Sequence, residues 1–337
     1  MTCSRVWSLF VLSIVLAWAN IASAENVLLF PYFDSNGENG VFLAWSSDGR
    51  TFHPVNDGRP IFTPPKWSEG QHLTRDPSIV FHDGLFHMVW TSNWDGRWFG
   101  YASSPDLKQW SEPVKIQPFA DGKEQPNNVW APELFRDPVA GDFKIVWSST
   151  LPSELNDDDG SADTHGHDHR MYYISTSDFK SFSEPKLLFN DENYSVIDAQ
   201  VAFDPQDSDD PHEGRWIMAL KRETPVQQDG KNIRLAFSPA EISPESFTNA
   251  TKPIVGASTS IQGRDMAEGP TLIHWNGEWL LYWDSYGARH YSLASSPDLV
   301  QWTDISRELS HPARHPRHGT VFAAERDAIA WPLEAKP

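Results

Sequence analysis

The phrase Ser104-Pro-Asp-Leu-Lys-Gln-Trp110 returns as Ser296-Pro-Asp-Leu-Val-Gln-Trp302. Looser copies stand at Ser47-Asp-Gly-Arg-Thr-Phe52, Ser177-Asp-Phe-Lys-Ser-Phe182 and Ser238-Pro-Ala-Glu-Ile-Ser-Pro-Glu-Ser-Phe247. Short side chains that bond to their own backbone write a turn here, not a nucleophile. A turn copied five times along one chain implies one structural unit copied five times.

The segments between the turns have the signature of strands: short apolar runs bounded by Gly or acidic turns, with no sustained helical period. Middle-strand candidates are Gly84-Leu-Phe-His-Met-Val-Trp90, Asp142-Phe-Lys-Ile-Val-Trp147, Arg215-Trp-Ile-Met-Ala-Leu220 and Glu278-Trp-Leu-Leu-Tyr-Trp283. A run with a polar head precedes each, and a further run leads into the repeated turn. Near the N-terminus, Asn26-Val-Leu-Leu-Phe30 and Val41-Phe-Leu-Ala-Trp45 lack such a head; Arg317-His-Gly-Thr-Val-Phe322 offers one at the other end. The expectation is an all-β, five-bladed propeller with four antiparallel strands per blade. A C-terminal strand closes the ring by completing the N-terminal blade, which removes two open sheet edges. A β-sandwich with accidental turn similarity is the competing architecture.

One domain should span residues 25–337 of the 337-residue chain. Residues 1–24 read as a secretory signal: Arg5, the apolar run Val6 to Trp18, and the small-residue site Ala22-Ser-Ala24. Cleavage near Ala24 predicts a secreted or periplasmic protein. The one cysteine, Cys3, lies in that signal, so the mature chain would lack disulfides, thiol nucleophiles and Cys-ligated zinc. A net charge of −19 argues against nucleic acid or an anionic membrane as partner, and suits a neutral one. The sixteen tryptophans leave core packing and sugar stacking both open.

In a propeller the heads of the inner strands gather at one mouth of the central channel. Asp76, Glu133, Asp198, Glu268 and His318 each follow a copy of the turn by 20–28 residues, which predicts equivalent places around that mouth. Carboxylates sharing a cavity push their pKa values apart, which supplies an acid and a base near neutral pH. A glycosidic bond is hydrolysed by such a pair.

With those motifs in this order, the chain resembles glycoside hydrolase family 43, the arabinanases, α-L-arabinofuranosidases and β-xylosidases built on five-bladed propellers. The resemblance covers nearly the whole mature chain. It implies that Asp76, in Arg75-Asp76-Pro77, is the general base, and that Glu268, in Glu268-Gly269-Pro270, is the general acid. Asp198, in Ile197-Asp198-Ala199, would raise the pKa of Glu268 and orient it. It implies inversion at the anomeric carbon, with the Asp76 and Glu268 carboxyls roughly 6.5–9.5 Å apart. It places His318 of His318-Gly319 in the central cavity, beside a structural calcium, another ion or water; no cofactor is required. Trp130 and Trp94 become candidate sugar platforms and Glu133 a subsite residue. Glu133 is also a departure, standing where the family usually has Asp after Trp-Ala-Pro. The implied partner is an oligo- or polysaccharide, bound by a monomer.

Other readings stay open at this point. Asp76 could cap a turn, Asp198 could bond backbone amides, and Gly269-Pro270 could make Glu268 part of a turn. His318, Trp130 and Glu133 could be structural. The cluster Asp163-Thr-His-Gly-His-Asp-His169 fits a solvated hairpin insertion better than a metal site. A retaining fructan- or sucrose-cleaving propeller would need Asn-Asp-Pro where Arg75-Asp76-Pro77 stands. A propeller phosphorylase would need a basic phosphate site, and a sugar-binding propeller would need no chemistry at all.

Overall fold

The computed structural model describes residues 25–67, 70–153, 167–191, 194–206, 208–223, 230–248, 250–261 and 266–334. The expected signal, Cys3, the Asp157–Asp159 run and residues 163–166 lie outside them. Strands run from end to end, and helical structure among the described residues is limited to short 3-10 turns. Blade 1 holds β1 (Asn26–Tyr32), β2 (Phe42–Ser46) and β3 (His53–Pro54). Blade 2 holds β4 (Arg75–His82), β5 (Leu85–Thr91), β6 (Phe99–Ser104) and β7 (Val114–Ile116). Blade 3 holds β8 (Trp130–Asp137), β9 (Asp142–Ser149), β10 (Arg170–Thr176) and β11 (Lys186–Phe189). Blade 4 holds β12 (Val196–Asp204), β13 (Arg215–Arg222) and β14 (Asn232–Pro239). Blade 5 holds β15 (Ala267–Trp275), β16 (Glu278–Ser285), β17 (His290–Ser296) and β18 (Thr303–Asp304).

The last strand, β19 (Phe322–Glu325), pairs antiparallel with β1 from Asn26↔Glu325 to Leu29↔Phe322. It becomes the inner strand of blade 1, so the ring closes as the sequence predicts. Gly319 lets the chain in: a Cβ there would lie 1.8 Å from the Pro31 carbonyl oxygen. Blade 4 departs from four regular strands. Its outer edge is an irregular segment in which the Thr248, Thr251 and Ile254 amides bond to the Phe237, Leu235 and Ile233 carbonyls. The same blade carries the weakest turn copy. Ser238 there bonds to Ser246, whereas the other four turns are built around an aspartate.

Those four turns share one mechanism. A Ser or Thr (Ser46, Ser104, Thr176, Ser296) caps the amide of the aspartate two residues on. Oδ1 of that aspartate then accepts two further amides, as Asp298 does from Val300 at 2.9 Å and Gln301 at 2.8 Å. The residue after the aspartate is left-handed in each: Gly49, Leu107, Phe179 and Leu299. Its side chain is thereby thrown onto the preceding blade. Phe179 of blade 3 stacks on Tyr101 (4.5 Å) and His87 (4.3 Å) of blade 2. Leu107 of blade 2 joins the Leu29 and Leu43 cluster of blade 1. Gly49 has no side chain to send, and its carbonyl instead takes the Tyr282 hydroxyl of blade 5 at 2.6 Å. The repeated phrase is therefore a blade-to-blade staple.

The tryptophan ambiguity resolves in part. Trp90, Trp147, Trp216 and Trp283 sit on the second strand of blades 2 to 5 and Trp45 on the third strand of blade 1, and all are buried. Phe179→Ala should cost about 3–5 kcal/mol of stability, the range for losing a buried aromatic. Denaturant unfolding checks this, and an unchanged midpoint would refute the staple.

Candidate active site

The inner strands β4, β8, β12 and β15 break register at matching points: Arg75/Ser78, Trp130/Glu133, Ile197/Gln200 and Glu268/Thr271. Such a bulge releases one residue from the ladder and re-aims its neighbours. The first released residue is left-handed each time: Asp76 (φ 49°), Ala131 (46°), Asp198 (56°) and Gly269 (55°). Three of these residues are not glycine, so the surrounding structure must hold them in a costly conformation. Proline follows at Pro77, Pro132 and Pro270, where the broken ladder needs no N–H.

This register corrects the counting from the turns. Asp76 and Asp198 occupy the same place, Glu268 stands one residue earlier and Glu133 two later. Loops of unequal length made the turn an imperfect ruler. Glu133 shares its level with Ser78, Gln200 and Thr271, whose side chains accept the amides of Leu134, Leu272 and Val321 from the next blade. The carboxyl of Glu133 is buried and accepts the Thr320 hydroxyl at 2.7 Å. Burial pushes its pKa up to about 7, against hydrogen bonds from Thr320 and Ser78. It belongs to the polar seam of the channel rather than to the cavity wall, so the subsite role expected of it is withdrawn.

Asp76, Asp198, Glu268 and His318 do converge on one cavity of about 640 Å³, which Trp94 and Trp130 also line. Asp76 accepts the Thr91 hydroxyl at 2.7 Å, and its other oxygen lies 3.4 Å from His318 Nδ1. Burial alone would raise its pKa. The hydrogen bond and charge of His318, helped by Arg75 and Thr91, outweigh burial and hold it at about 2. His318 answers in kind: burial favours neutral imidazole, but Asp198 and Asp76 lift its pKa to about 9. Its ring fits because residue 269 is glycine; a Cβ there would meet the ring at 2.4 Å.

Glu268 is held differently from the expectation. Lys221 Nζ donates to one oxygen at 2.9 Å and Arg317 to the other at 2.7 Å. Burial favours the neutral acid, yet the two cations overcome it and keep the Glu268 pKa at about 2. Asp198 takes the opposite course. Burial raises its pKa, reinforced by Glu268 and Asp76 and opposed by Lys221 and His318. It accepts the Gly269 amide at 3.1 Å, so it positions the Glu268 bulge directly. Of the two, Asp198 is the better proton holder in the empty cavity. Lys221 and Arg317, rather than Asp198, are the groups that contact the Glu268 carboxyl.

The sequence reading missed those cations and their partners. Thr91, Lys221 and Asp284 face Arg75, Ile197 and Glu268 across the ladder, at or near the ends of their strands. Asp284 is buried and takes Arg317 Nε at 2.6 Å. Lys221 is buried too, bridging Glu223 at 2.7 Å as well as Glu268. A signal existed: each residue directly follows a middle-strand run that ends at Trp90, Leu220 or Trp283.

Trp94 and Trp130 meet edge to face at 5.5 Å, and Trp130 Nε1 donates to the Trp94 carbonyl at 2.8 Å. The Arg75 guanidinium covers one face of Trp94 at 4.1 Å. Part of the His-rich segment also departs from the solvated-loop expectation. His167 lines the cavity beside Trp130, while Asp168 and His169 are buried against Arg170 and Ser195. His318 Nδ1 faces two carboxylates, Asp76 at 3.4 Å and Asp198 at 3.8 Å. No group of three His, Cys, Asp or Glu among the described residues is placed to hold a metal.

The profile of the glycosyl hydrolase 43-related family, "Probable glycosyl hydrolase domain", matches residues 25–328, and the chain belongs to that family. Solved structures share the fold at low identity. An endo-arabinase from Bacteroides thetaiotaomicron is 13% identical, with TM-score 0.53 over 83% of this chain and 88% of that one. A thermostable family-43 glycoside hydrolase is 16% identical, with TM-score 0.52 over 71% and 74%. The catalytic domain of a Coprinopsis cinerea GH62 α-L-arabinofuranosidase is 15% identical, with TM-score 0.50 over 76% and 73%. No curated protein matches the chain. No helix among the described residues is long and apolar enough to cross a membrane.

The His318 and Asp76 pair makes stability depend on pH. His318 rises from 6.5 to about 9 on folding, so its contribution is complete below 6.5 and is lost as pH climbs towards 9. Asp76 falls from 3.8 to about 2, so its contribution is present above 3.8 and is lost on acidification. The melting temperature should therefore drop on the alkaline side, and His318→Gln should flatten that drop. A wild-type profile level across this range would contradict the pairing.

Proposed function

We propose that the chain is an exported glycosidase that hydrolyses an O-glycosidic bond of a glycan with inversion. The observation that carries this reading is the convergence of Asp76, Asp198 and Glu268, from three blades, on one cavity beside two tryptophans. Asp76, kept ionised by His318, takes the proton of the attacking water. Glu268 protonates the leaving oxygen. Asp198 holds the Glu268 strand through the Gly269 amide. An arabinofuranosyl or xylosyl residue is the default sugar, on the resemblance to family 43. The apolar run from Val6 to Trp18 before Ala24 supports export.

Glu268 must carry a proton when the bond breaks, yet Lys221 and Arg317 keep it ionised in the empty cavity. Substrate resolves this if a sugar hydroxyl takes one of those N–H donors. With one cation drawn away and water displaced, burial dominates and the Glu268 pKa rises. Glu268 then takes up a proton from solvent as its substrate arrives.

Asp76→Asn and Glu268→Gln should each lower kcat by at least about 100-fold on the glycan that wild type cleaves. Proton NMR of the first product formed should show the anomer opposite to that of the substrate. Retention of configuration would exclude the proposed chemistry, and full activity in either variant would exclude that residue. If wild type hydrolyses no aryl glycoside or polysaccharide, while Glu268→Gln binds sugar as well as it does, a binding propeller is the better reading.

A further inference from the structure

Arg75 lines the cavity without a direct salt bridge among the described residues. Lys221, Lys231, Arg317 and His318 each face a carboxylate: Glu268, Glu223, Asp284 and Asp76 among them. Arg75 makes no such pair among the described residues, although it is nine-tenths buried. Nη1 donates to Asn36 Oδ1 at 3.1 Å, and the guanidinium lies between Phe33 (4.7 Å) and Trp94 (4.1 Å). Its neighbour Asp76 has both oxygens engaged, one by Thr91 and one by His318. Arg317 also packs on Phe33, at 5.5 Å, so two guanidiniums flank one ring at the cavity wall. Asp76 and Glu38 act on Arg75 through space, but no carboxylate oxygen pairs with its fork among the described residues, and a buried guanidinium lacking such contacts is costly. A planar fork held by stacking suits a carboxylate or a sulfate better than a hydroxyl.

We propose that Arg75 forms an anion subsite beside the reacting carboxyls, and that the glycan taken here bears a negatively charged substituent on the cleaved sugar or its neighbour. The substituent is the carboxylate of a uronic acid or a sulfate ester. This rests on the glycosidase reading for its setting, but it concerns binding and is read separately.

The test titrates the mature chain calorimetrically with two matched pairs of probes. One pair is a glucuronic-acid-substituted xylo-oligosaccharide and its carboxyl-reduced form. The other is a sulfated galacto-oligosaccharide and its desulfated form. At least one charged member should bind about ten-fold or more tightly than its neutral twin, and the pair that does so identifies the anion. Arg75→Gln should collapse that ratio, and Arg75→Lys, which keeps charge without the fork, should retain only part of it. Twins that bind alike in both pairs, or do not bind, overturn the subsite. So does a ratio that survives in folded Arg75→Gln. If Arg75 served only to keep Asp76 ionised, Arg75→Gln would move the acid limb of the pH–rate profile equally for both twins. Hydrolysis of charged and neutral twins without preference sinks the subsite and leaves the glycosidase. Charge-selective binding without hydrolysis does the reverse.

Discussion

Three carboxylates cannot share a buried cavity as anions unless cations stand between them. In a medium poorer in water than bulk solvent, like charges repel strongly, and the usual relief is to protonate one of them. This protein also interleaves cations among them. His318 lies against Asp76 and Asp198, Lys221 bridges Glu268 and Glu223, and Arg317 spans Glu268 and Asp284. Each acid thereby acquires its own proton affinity: Asp76 and Glu268 lowered, Asp198 raised.

The fold makes that interleaving geometrically available. Repeated bulges on the inner strands turn Asp76 and Asp198 out of the ladder towards the cavity. Second strands bring Thr91, Lys221 and Asp284 to the same level. Arg317 and His318 arrive last, on the segment leading into β19. The Arg317 amide bonds to the Phe33 carbonyl at 2.9 Å, which extends the ring closure up to the mouth. Closing the ring and completing the site are therefore one event. An open propeller would leave Glu268 and Asp284 without Arg317, a cost that couples site chemistry to global folding.

Much of this was legible in the sequence. The turn repeat encodes the blade count because an aspartate that caps two amides has few substitutes, and its strongest copies are the regular ones. Blade 4 was the weak point for a physical reason: without an Asp at that place, Ser238 forms a different turn and the outer strand is irregular. The inner-strand heads were legible as polar residues ahead of apolar runs. Their register was not, because a bulge adds a residue without changing the pattern of side-chain types. That is why Glu133 was placed at the mouth when it lies deeper, in the seam with Thr320. Lys221 and Asp284 escaped because a Lys or Asp following an apolar run looks like the point where a strand surfaces. Only the assembled ring shows that these strand ends are buried.

The central claim is that Glu268 is ionised by two cations in the empty cavity and becomes the acid only in a complex. Its ionisation can be observed with 13C-labelled glutamate side chains, the Glu268 signal being identified by its loss in Glu268→Gln. The account predicts a carboxylate signal at about pH 5 in the free protein and a protonated one when a bound, uncleaved oligosaccharide fills the site. A Glu268 that is already neutral at that pH in the free protein would contradict it.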